Sequence, residues 1–545
     1  MAGQRRTVAA SVALVAVAAA AYLWATGLMD SLYAYRSPFA SAPLSAGQPV
    51  GSPLAGRVVI VLVDGLRVDT AADPAVMPTL DRLRRSGASA TLHSTTPSYS
   101  IPSWTVLMTG AWPELSDGPA MNPLAGQTSR TWTQDNLMAA AHRAGLTTAY
   151  AGTDWFPQLF QPGTVDHLAP VHEETDAADE ASTVALLGFL AADQGDLLLL
   201  HLNEVDHAGH RAGGPRDPRW DAAATKADAR IGRVAAALDP QRDTVVVVSD
   251  HGHVDAGGHG GQDAIVLQEP LVLSGAGIRP GSYGDHDQVD VAPTVATLLG
   301  TNLPAVNQGH PLVDLLSGAG DLTAAETVQQ AQLLQRYAAS LGAAPPEVAA
   351  ESDPVSAYQK ALSDLRSSAL TKERLLRGGA AVAAVALLAL LLARSRRPRR
   401  WFAVGAVVYA LTFHLQYAVL RGRTYSLSSV LSSGDVIAAT AACAAVAFLV
   451  ASAVTLLGGG PELRENLGSA HLWLTAWVLA VLAIPALWTA VVNGPTVTWT
   501  LPEMTSMFLG FLAVLQVLVV SALALVLLPV AALTARALGR RRATA

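Results

Sequence analysis

Six long apolar runs stand out in the pattern of hydrophobic and polar residues along the chain. Each holds about 20 residues or more with almost no charge, which is the length an α-helix needs to cross a bilayer. None has the polar face of a helix on a soluble domain, so membrane spans are favoured over buried core helices. The runs cover residues 8–28, 375–393, 401–420, 436–457, 472–492 and 507–533. The pattern therefore predicts about six transmembrane α-helices, one N-terminal and five C-terminal.

Shorter apolar runs between the first and second long runs indicate a different kind of structure. They include Val61-Leu62-Val63 and residues 197–200 and 244–248. Short runs of this kind are typical of strands that are buried on both faces of a parallel sheet. The predicted fold class is therefore α/β, with a central, mostly parallel sheet flanked by helices.

Composition supports a membrane protein that carries one large polar domain. The chain is 51% hydrophobic and only 14% charged, with a mean hydropathy of +0.32, which is too apolar for a soluble enzyme. The net charge of −7 gives no reason to expect a nucleic acid as partner. The single cysteine, Cys443, falls inside a long apolar run, so no disulfide supports the polar domain.

Aspartate residues follow all three predicted strands, and histidines accompany them after two of the three. Open α/β sheets bind ligands at the carboxyl ends of their strands, and Asp and His supply donors of the kind that zinc takes. One such residue alone more often caps a helix, but three strand ends that each deliver them are hard to explain as solvated loops. The set is Asp64, Asp206, His210, Asp250, His251 and His259. It suffices for two four-coordinate metals once a hydroxyl is added and one position is left open.

That hydroxyl is predicted in the segment 97–104, PSYSIPSW, which leads into an apolar helix. On local grounds Ser100 and Ser103 both suit an ordinary helix N-cap. A helix N-terminus also favours an alkoxide and an incoming phosphate, and a metal on the serine oxygen would create a nucleophile. The segment is therefore predicted to supply the nucleophile, and local sequence leaves both Ser100 and Ser103 as candidates.

Three segments together match a known family. Pro102 lies two residues after Ser100, and Thr109-Gly110 begins nine residues after it. Residues 249–261 (SDHGHVDAGGHGG) and 288–304 (QVDVAPTVATLLGTNLP) supply the later motifs. Over about residues 57–315 the chain resembles the type I phosphodiesterase/nucleotide pyrophosphatase branch of the alkaline phosphatase superfamily, and within it the GPI ethanolamine-phosphate transferases. That branch has Thr where this chain has Ser100.

The resemblance implies an alkaline-phosphatase-like sandwich with two zinc ions, although manganese also suits a set with three carboxylates. One metal would take a carboxylate and two imidazoles, with a position left for water or an alcohol. The other would take two carboxylates, one imidazole and the nucleophile oxygen. The first set is Asp206, His210 and His259, and the second is Asp64, Asp250, His251 and Ser100.

Other residues near these motifs have weaker assignments. Asn122 matches a polar residue that contacts the substrate phosphate in this branch. His201, His207 and His253 have no matching role, and we interpret them as neighbours of the metal ligands or as solvent-facing.

A sulfatase is the alternative within the superfamily, and two departures from its pattern argue against it. Trp104 stands where its signature has Arg, and Asp64 stands alone where it has paired acids.

Basic residues near the long apolar runs predict the orientation in the membrane. Positive charges accumulate on the cytoplasmic side, which places Arg5-Arg6 and the clusters at 394–400 and 540–542 inside. Residues 29–373 are then outside, and both termini are cytoplasmic. A cleaved signal peptide is the alternative for the first run, but its length favours an anchor.

Five regions follow from these observations. We predict an N-terminal transmembrane anchor (1–28), a linker (29–56), an extracytoplasmic catalytic domain (57–316), a helical connector (317–374) and a five-helix transmembrane domain (375–545).

The predicted function is a membrane-bound, metal-dependent phosphotransferase. It would move a phosphoryl-alcohol group, such as phosphoethanolamine, from a phospholipid to an extracytoplasmic glycan or lipid acceptor through a covalent intermediate on Ser100. The alternative is an extracytoplasmic zinc phosphodiesterase or phosphatase. A transporter or structural membrane protein with a degenerate enzyme domain is the third reading, and the complete set of metal residues argues against it. Five C-terminal spans favour a lipid partner, because a soluble substrate would need only one anchor.

Overall fold

The structure is a computed structural model that describes residues 2–124, 126–349, 351–394, 399–430 and 432–543. The side chains of the three basic clusters that predict the orientation lie largely outside the described residues. The helices are α1 (Ala2–Tyr33), α2 (Val68–Ala72), α3 (Pro78–Ser86), α4 (Ser100–Thr109), α5 (Pro113–Ser116), α6 (Leu137–Arg143), α7 (Asp176–Ala191), α8 (Glu204–Ala212), α9 (Pro218–Ala236), α10 (Val291–Leu299), α11 (Thr323–Ser340), α12 (Pro354–Ala393), α13 (Arg399–His414), α14 (Ser433–Gly458), α15 (Gly460–Glu465), α16 (Leu467–Asn493) and α17 (Met504–Ala543).

The polar domain is built on a single sheet. Its strands are β1 (Arg57–Val63), β2 (Ala88–His93), β3 (Thr148–Thr153), β4 (His167–Val171), β5 (Leu197–Leu202), β6 (Asp243–Val248), β7 (Gln268–Gly275) and β8 (Gly281–Asp287). They lie in the order β4-β3-β5-β1-β6-β7-β2-β8. Only β7 runs antiparallel to its neighbours, β6 and β2. The mostly parallel sheet predicted from the short apolar runs is therefore confirmed.

Strand β1 shows why helices cover both faces of this sheet. All of its residues are buried, and alternate side chains of a strand point to opposite faces. Val58 and Ile60 pack in a core that α4, α6 and α10 complete, whereas Val59 and Val61 pack in a second core with α3, α7 and α9. The sheet is thus the middle layer of the predicted sandwich.

Six helices are long and apolar enough to cross a membrane, as predicted: α1, α12, α13, α14, α16 and α17. α13, α14, α16 and α17 meet in one apolar cluster to which Tyr409, Phe448, Leu474 and Phe508 contribute. α1 packs on α17, and α12 packs on α16. Apart from Leu392 near its end, the apolar part of α12 is not buried by the other described parts of the protein. The chain thus has the features of a multi-pass membrane protein.

α12 joins the polar domain to the membrane helices without a break. It is one helix of 40 residues. It continues through position 374, the predicted boundary between the connector and the membrane domain. Its last charged residue before the apolar segment 378–393 is Arg377. Pro345-Pro346 lies between α11 and α12, where neither helix can continue through the proline pair. The domain boundaries themselves stay a prediction.

Candidate active site

Three strand ends and one helix N-terminus bring the predicted site residues to one edge of the sheet. β5, β1 and β6 are adjacent and parallel, so their carboxyl ends lie side by side. Asp64 directly follows β1, Asp206 lies in α8 just after β5, and Asp250 follows β6. Ser100 is the first residue of α4. The sheet edge is the place that the sequence pattern predicted.

A first cluster forms around Asp206. His210 lies one turn further along α8, and its Nε2 is 3.4 Å from Asp206 Oδ1. The Nε2 atom of His259 is 3.5 Å from the same oxygen and 3.0 Å from Nε2 of His210. The three side chains predicted to share one metal therefore point their donor atoms at one another.

A second cluster surrounds the predicted nucleophile. Nε2 of His251 is 3.3 Å from Ser100 Oγ. The same nitrogen is 3.5 Å from Asp64 Oδ1 and 3.5 Å from Asp250 Oδ2. All four side chains are buried. The structure thus gathers every residue that the sequence assigned to the second metal.

The two clusters are neighbours. The rings of His251 and His259 stack with their centroids 3.8 Å apart and their planes 10° from parallel. Donor atoms of Asp64, Asp206 and His251 lie within 4.8 Å of one another, so Asp206 also faces the second cluster. One phosphate group is small enough to contact both clusters.

The donor set fits divalent cations. Asp64 Oδ1 is buried and has no hydrogen-bond partner among the described residues. Burial and then the charges of Asp250 and Asp206 raise the pKa of Asp64 well above its ordinary value. Burial and the neighbouring His251 hold the pKa of His259 well below its usual range. Buried carboxylates and neutral imidazoles that converge in this way repel one another unless a cation lies between them.

Hydrogen bonds orient the imidazoles for such a role. Nδ1 of His259 lies 2.9 Å from the Ser98 carbonyl, and Nδ1 of His251 lies 3.2 Å from the Gly252 carbonyl. A ring nitrogen that faces a carbonyl carries the proton, so the Nε2 atoms present lone pairs to the clusters.

Two further histidines support the aspartates. Nε2 of His201 is 2.8 Å from Asp64 Oδ2, and Nε2 of His253 is 2.9 Å from Asp206 Oδ1. Nδ1 of His253 accepts the N–H of Gly258 at 2.9 Å, so its proton is on Nε2 and is donated to Asp206. Proximity alone would group His253 with the first cluster, but this hydrogen bonding favours a supporting role. His207 belongs to neither cluster among the described residues.

Trp104 is a functional neighbour that sequence reasoning treated only as a departure from the sulfatase pattern. Its Nε1 donates to Asp250 Oδ2 at 2.8 Å, and its ring stacks on Phe156 with centroids 4.5 Å apart. An indole N–H is a lone donor that must find an acceptor when buried. That rule is the one signal in the sequence that could have suggested the contact.

Ser100 is free of the capping role that the sequence also allowed. The N-cap of α4 is Tyr99, and no side chain caps the helix. Asn122 Oδ1 accepts the N–H of Ile101 at 3.0 Å, which leaves the amide Nδ2 of Asn122 free to donate beside Ser100. The arrangement can present the Ser100 oxygen and two kinds of N–H donor to a phosphate.

A loop from the membrane domain closes the site on the side of His259. In the α13–α14 loop, Ser428 Oγ accepts the N–H of Gly261 at 3.0 Å, and the Tyr425 carbonyl accepts from Gln262 Nε2 at 3.1 Å. Ser426 Oγ donates to Asp263. A side chain on Gly261 would collide with Ser426 and Ser428, so the close approach requires glycine. The segment that follows His259 is thus held by the membrane domain.

Replacing Ser428 with alanine tests this contact. The Gly261 N–H would lose its acceptor in a buried place, which costs about 1–3 kcal/mol. We expect faster hydrogen–deuterium exchange over residues 258–263 in Ser428→Ala, measured by mass spectrometry on the full chain. Ser429→Ala is the matched control, because Ser429 bonds only within its own loop. Equal exchange in both variants would mean that the loop does not hold the His259 segment.

Comparison with known proteins finds relatives of the domain that carries this site. Residues 58–298 match the family described as type I phosphodiesterase / nucleotide pyrophosphatase. The chain is 28% identical over 280 residues to GPI ethanolamine phosphate transferase 2 of Yarrowia lipolytica, a match that covers 46% of this chain and 32% of that protein. It is 28% identical over 309 residues to the human GPI ethanolamine phosphate transferase 3, catalytic subunit, covering 51% of this chain and 28% of that protein.

Among solved structures, murine ectonucleotide pyrophosphatase/phosphodiesterase 5 aligns with 48% of this chain and 100% of its own, at 16% identity and a TM-score of 0.40. The chain matches about a third of the length of the curated relatives. The resemblance drawn from the motifs is confirmed, because residues 58–298 match the type I phosphodiesterase / nucleotide pyrophosphatase family.

Proposed function

We propose that the protein is a membrane-bound, metal-dependent transferase that moves a phosphoryl-alcohol group from a phospholipid to an extracytoplasmic glycan or lipid acceptor. The observation that carries this proposal is Ser100 Oγ at 3.3 Å from His251 Nε2, inside two adjoining clusters of Asp and His. The names of the curated relatives suggest ethanolamine phosphate as the group transferred.

The two clusters would hold two metal ions, and we propose zinc. The first ion would be held by Asp206, His210 and His259, and the second by Asp64, Asp250, His251 and Ser100. Bound metals would supply charge that stabilises the oxygens of the reacting phosphate and the ionised serine. His201, His253 and Trp104 would keep the aspartates in place through the hydrogen bonds described above.

The protein's own groups account for the rest of the reaction. Ser100 Oγ would attack phosphorus in line with the bond to the diacylglycerol oxygen, which leaves with its electron pair and takes a proton. An acceptor hydroxyl would then lose its proton and form a new bond to phosphorus, while the bond to Ser100 Oγ breaks and that oxygen regains a proton. The backbone N–H of Ser100 and Nδ2 of Asn122 would hold a non-bridging oxygen, since the next N–H of α4, from Ile101, already donates to Asn122.

Packing beside the nucleophile supports a lipid substrate. Tyr99 and Met121 flank Ser100 and Asn122 in sequence, and both pack in an apolar cluster with Leu28 of α1 and Met504 of α17. The ends of two membrane helices therefore reach the residues next to the reacting group. A phosphate on a lipid could reach Ser100 while its acyl chains stay in the bilayer.

Hydrolysis is the alternative, since the family match includes phosphodiesterases and water can take the place of the acceptor alcohol. Purified full-length protein should be incubated with phosphatidylethanolamine labelled in the head group, with and without membrane extract. A transferase attaches the label to a lipid or glycan only when extract is present. Release of soluble phosphoethanolamine at the same rate in both samples would favour the hydrolase.

The proposed orientation gives a separate prediction. Residues 29–373 should face outward, because donor lipid and envelope acceptors are met there. A single cysteine at Ser45 or Ser317, in a Cys443→Ser background, should react with an impermeant thiol reagent in intact cells. One at Ser395 should react only after permeabilisation. The opposite pattern would put the site in the cytosol and end the proposal.

A further inference from the structure

A polar cavity of about 350 Å³ lies where the catalytic domain meets the membrane helices. Thr95, Thr96 and Glu114 form its wall on the side of the catalytic domain, and α12 contributes Arg366, Glu373, Arg374 and Arg377. The loop between α16 and α17 forms the remaining wall. We refer to this space as the arginine cavity. The reaction proposed above uses none of these side chains.

The arginines are not equally neutralised. Arg366 pairs with Glu114 at 2.5 Å and donates to Thr500 Oγ1 at 3.0 Å, but its buried Nε has no partner among the described residues. Arg377 pairs with Glu373. Arg374 donates through Nε to the Val492 carbonyl at 3.2 Å, and no described carboxylate pairs with it. One guanidinium therefore presents its remaining N–H groups without an anion.

Glu503, the acid nearest in sequence to the membrane span of α17, does not pair with Arg374. Both carboxylate oxygens of Glu503 accept backbone N–H groups of the first turn of α17, from Thr505 at 3.0 Å and Ser506 at 2.8 Å. The hydroxyls of Thr95 and Thr96 make no side-chain hydrogen bond to a described residue and can donate into the cavity. The three arginines and three glutamates of the lining balance in charge, but the donors of Arg374, Thr95 and Thr96 face the cavity without an ion pair to a described carboxylate.

The cavity lies at the depth where the membrane begins. Arg377 is the last charge before the apolar segment 378–393 of α12, α16 ends at Asn493, and α17 starts at Met504. Leu375 and Leu376, beside Arg374, are 72% and 80% exposed. Because the apolar part of α12 is not buried by described protein, lipid chains must cover it directly below the arginines.

We propose that the arginine cavity binds the phosphodiester of a membrane phospholipid, with the phosphate on Arg374 and the acyl chains along the exposed apolar side of α12. The N–H groups that Arg374 leaves unpaired favour this ligand, because a phosphodiester carries one negative charge on oxygens that accept such donors. The location favours a lipid over a soluble phosphate ester, because the donors of the arginine cavity lie at the end of α12 where its exposed apolar segment begins. Binding here does not depend on the transfer reaction, although Thr96 lies only four residues before Ser100.

The test compares two neighbouring cations of α12. Short-chain phosphatidylethanolamine is titrated into full-length protein in detergent, in a Ser100→Ala background so that no lipid is consumed, and binding is followed by native mass spectrometry. Arg374→Gln should weaken binding roughly tenfold, the size of one charge-assisted hydrogen bond. Lys372→Gln removes the same charge from the same helix outside the cavity lining and should change binding less than about twofold. Arg374→Lys should restore part of the affinity.

The ligand series separates the sources of phosphate. Diacylglycerol, which lacks the phosphate, should not compete, and glycerophosphoethanolamine, which lacks the chains, should compete poorly. Equal effects of Arg374→Gln and Lys372→Gln would show only general surface charge and overturn the site. Competition by glycerophosphoethanolamine or inorganic phosphate as strong as that of the lipid would mean a soluble phosphate site and overturn the lipid assignment. Unchanged lipid binding in Arg374→Gln would overturn the cavity site while leaving the proposed transfer at Ser100 intact.

Discussion

Ser100→Ala should reduce turnover of a phosphodiester substrate by a factor of roughly 10³ or more, since no other group can form the covalent bond to phosphorus. Ser100 Oγ is the hydroxyl that faces His251 Nε2 at 3.3 Å. The six Asp and His residues of the two clusters are untouched by this change, so the fold and most of the metal content should be retained. Initial rates, thermal unfolding and elemental analysis on the same preparation check these three expectations.

Ser103→Ala is the matched control for this variant. Ser103 lies one turn further along α4 and is also buried, yet it belongs to neither cluster. It should keep most of the wild-type rate. If Ser103→Ala were inactive and Ser100→Ala active, the nucleophile would be misassigned.

The second large effect concerns metal content. The wild type should carry about two zinc ions per chain by elemental analysis, and chelation should remove its activity. His259→Ala should lower the content to about one by disabling the Asp206 cluster. His251→Ala should do the same at the Ser100 cluster, and each variant should lose nearly all turnover. Loss of a ligand typically weakens a metal site far more than loss of a supporting contact.

His207→Ala provides the control for these variants. His207 lies in α8 between Asp206 and His210 but belongs to neither cluster among the described residues, so about two ions should remain. Unchanged metal content in both His251→Ala and His259→Ala would refute the two-site assignment. Manganese in place of zinc would alter only the identity of the ion.

Local patterns in the sequence were sufficient for the architecture and for the location of the site. A short run such as Val61-Leu62-Val63 has to be buried on both faces, and the next residue, Asp64, then emerges at the carboxyl end of the sheet. The membrane helices follow from length and apolarity, which need no tertiary information. The buried strands, the residues at their carboxyl ends and the membrane helices are all determined by residues that lie close together in the sequence.

Contacts between distant segments could not be predicted in the same way. Ser428 meets Gly261 across 167 positions, and His201 meets Asp64 across 137. Nothing near Ser428 distinguishes it from any other serine in an interfacial loop. Trp104 departs from the sulfatase pattern, and the sequence alone does not indicate that its N–H donates to Asp250. Such supporting contacts arise from the packing of separate elements, which a single sequence does not encode locally.

The most direct test of the central claim is to trap the covalent intermediate. Full-length protein is mixed with phosphatidylethanolamine labelled in the head group, quenched in acid within the first turnover, and digested for mass spectrometry. The account predicts a phosphoethanolamine adduct on the peptide that contains residues 97–104, with the modified residue identified as Ser100. An adduct on Ser98 or Ser103, or turnover of the lipid without any adduct on this segment, would contradict it.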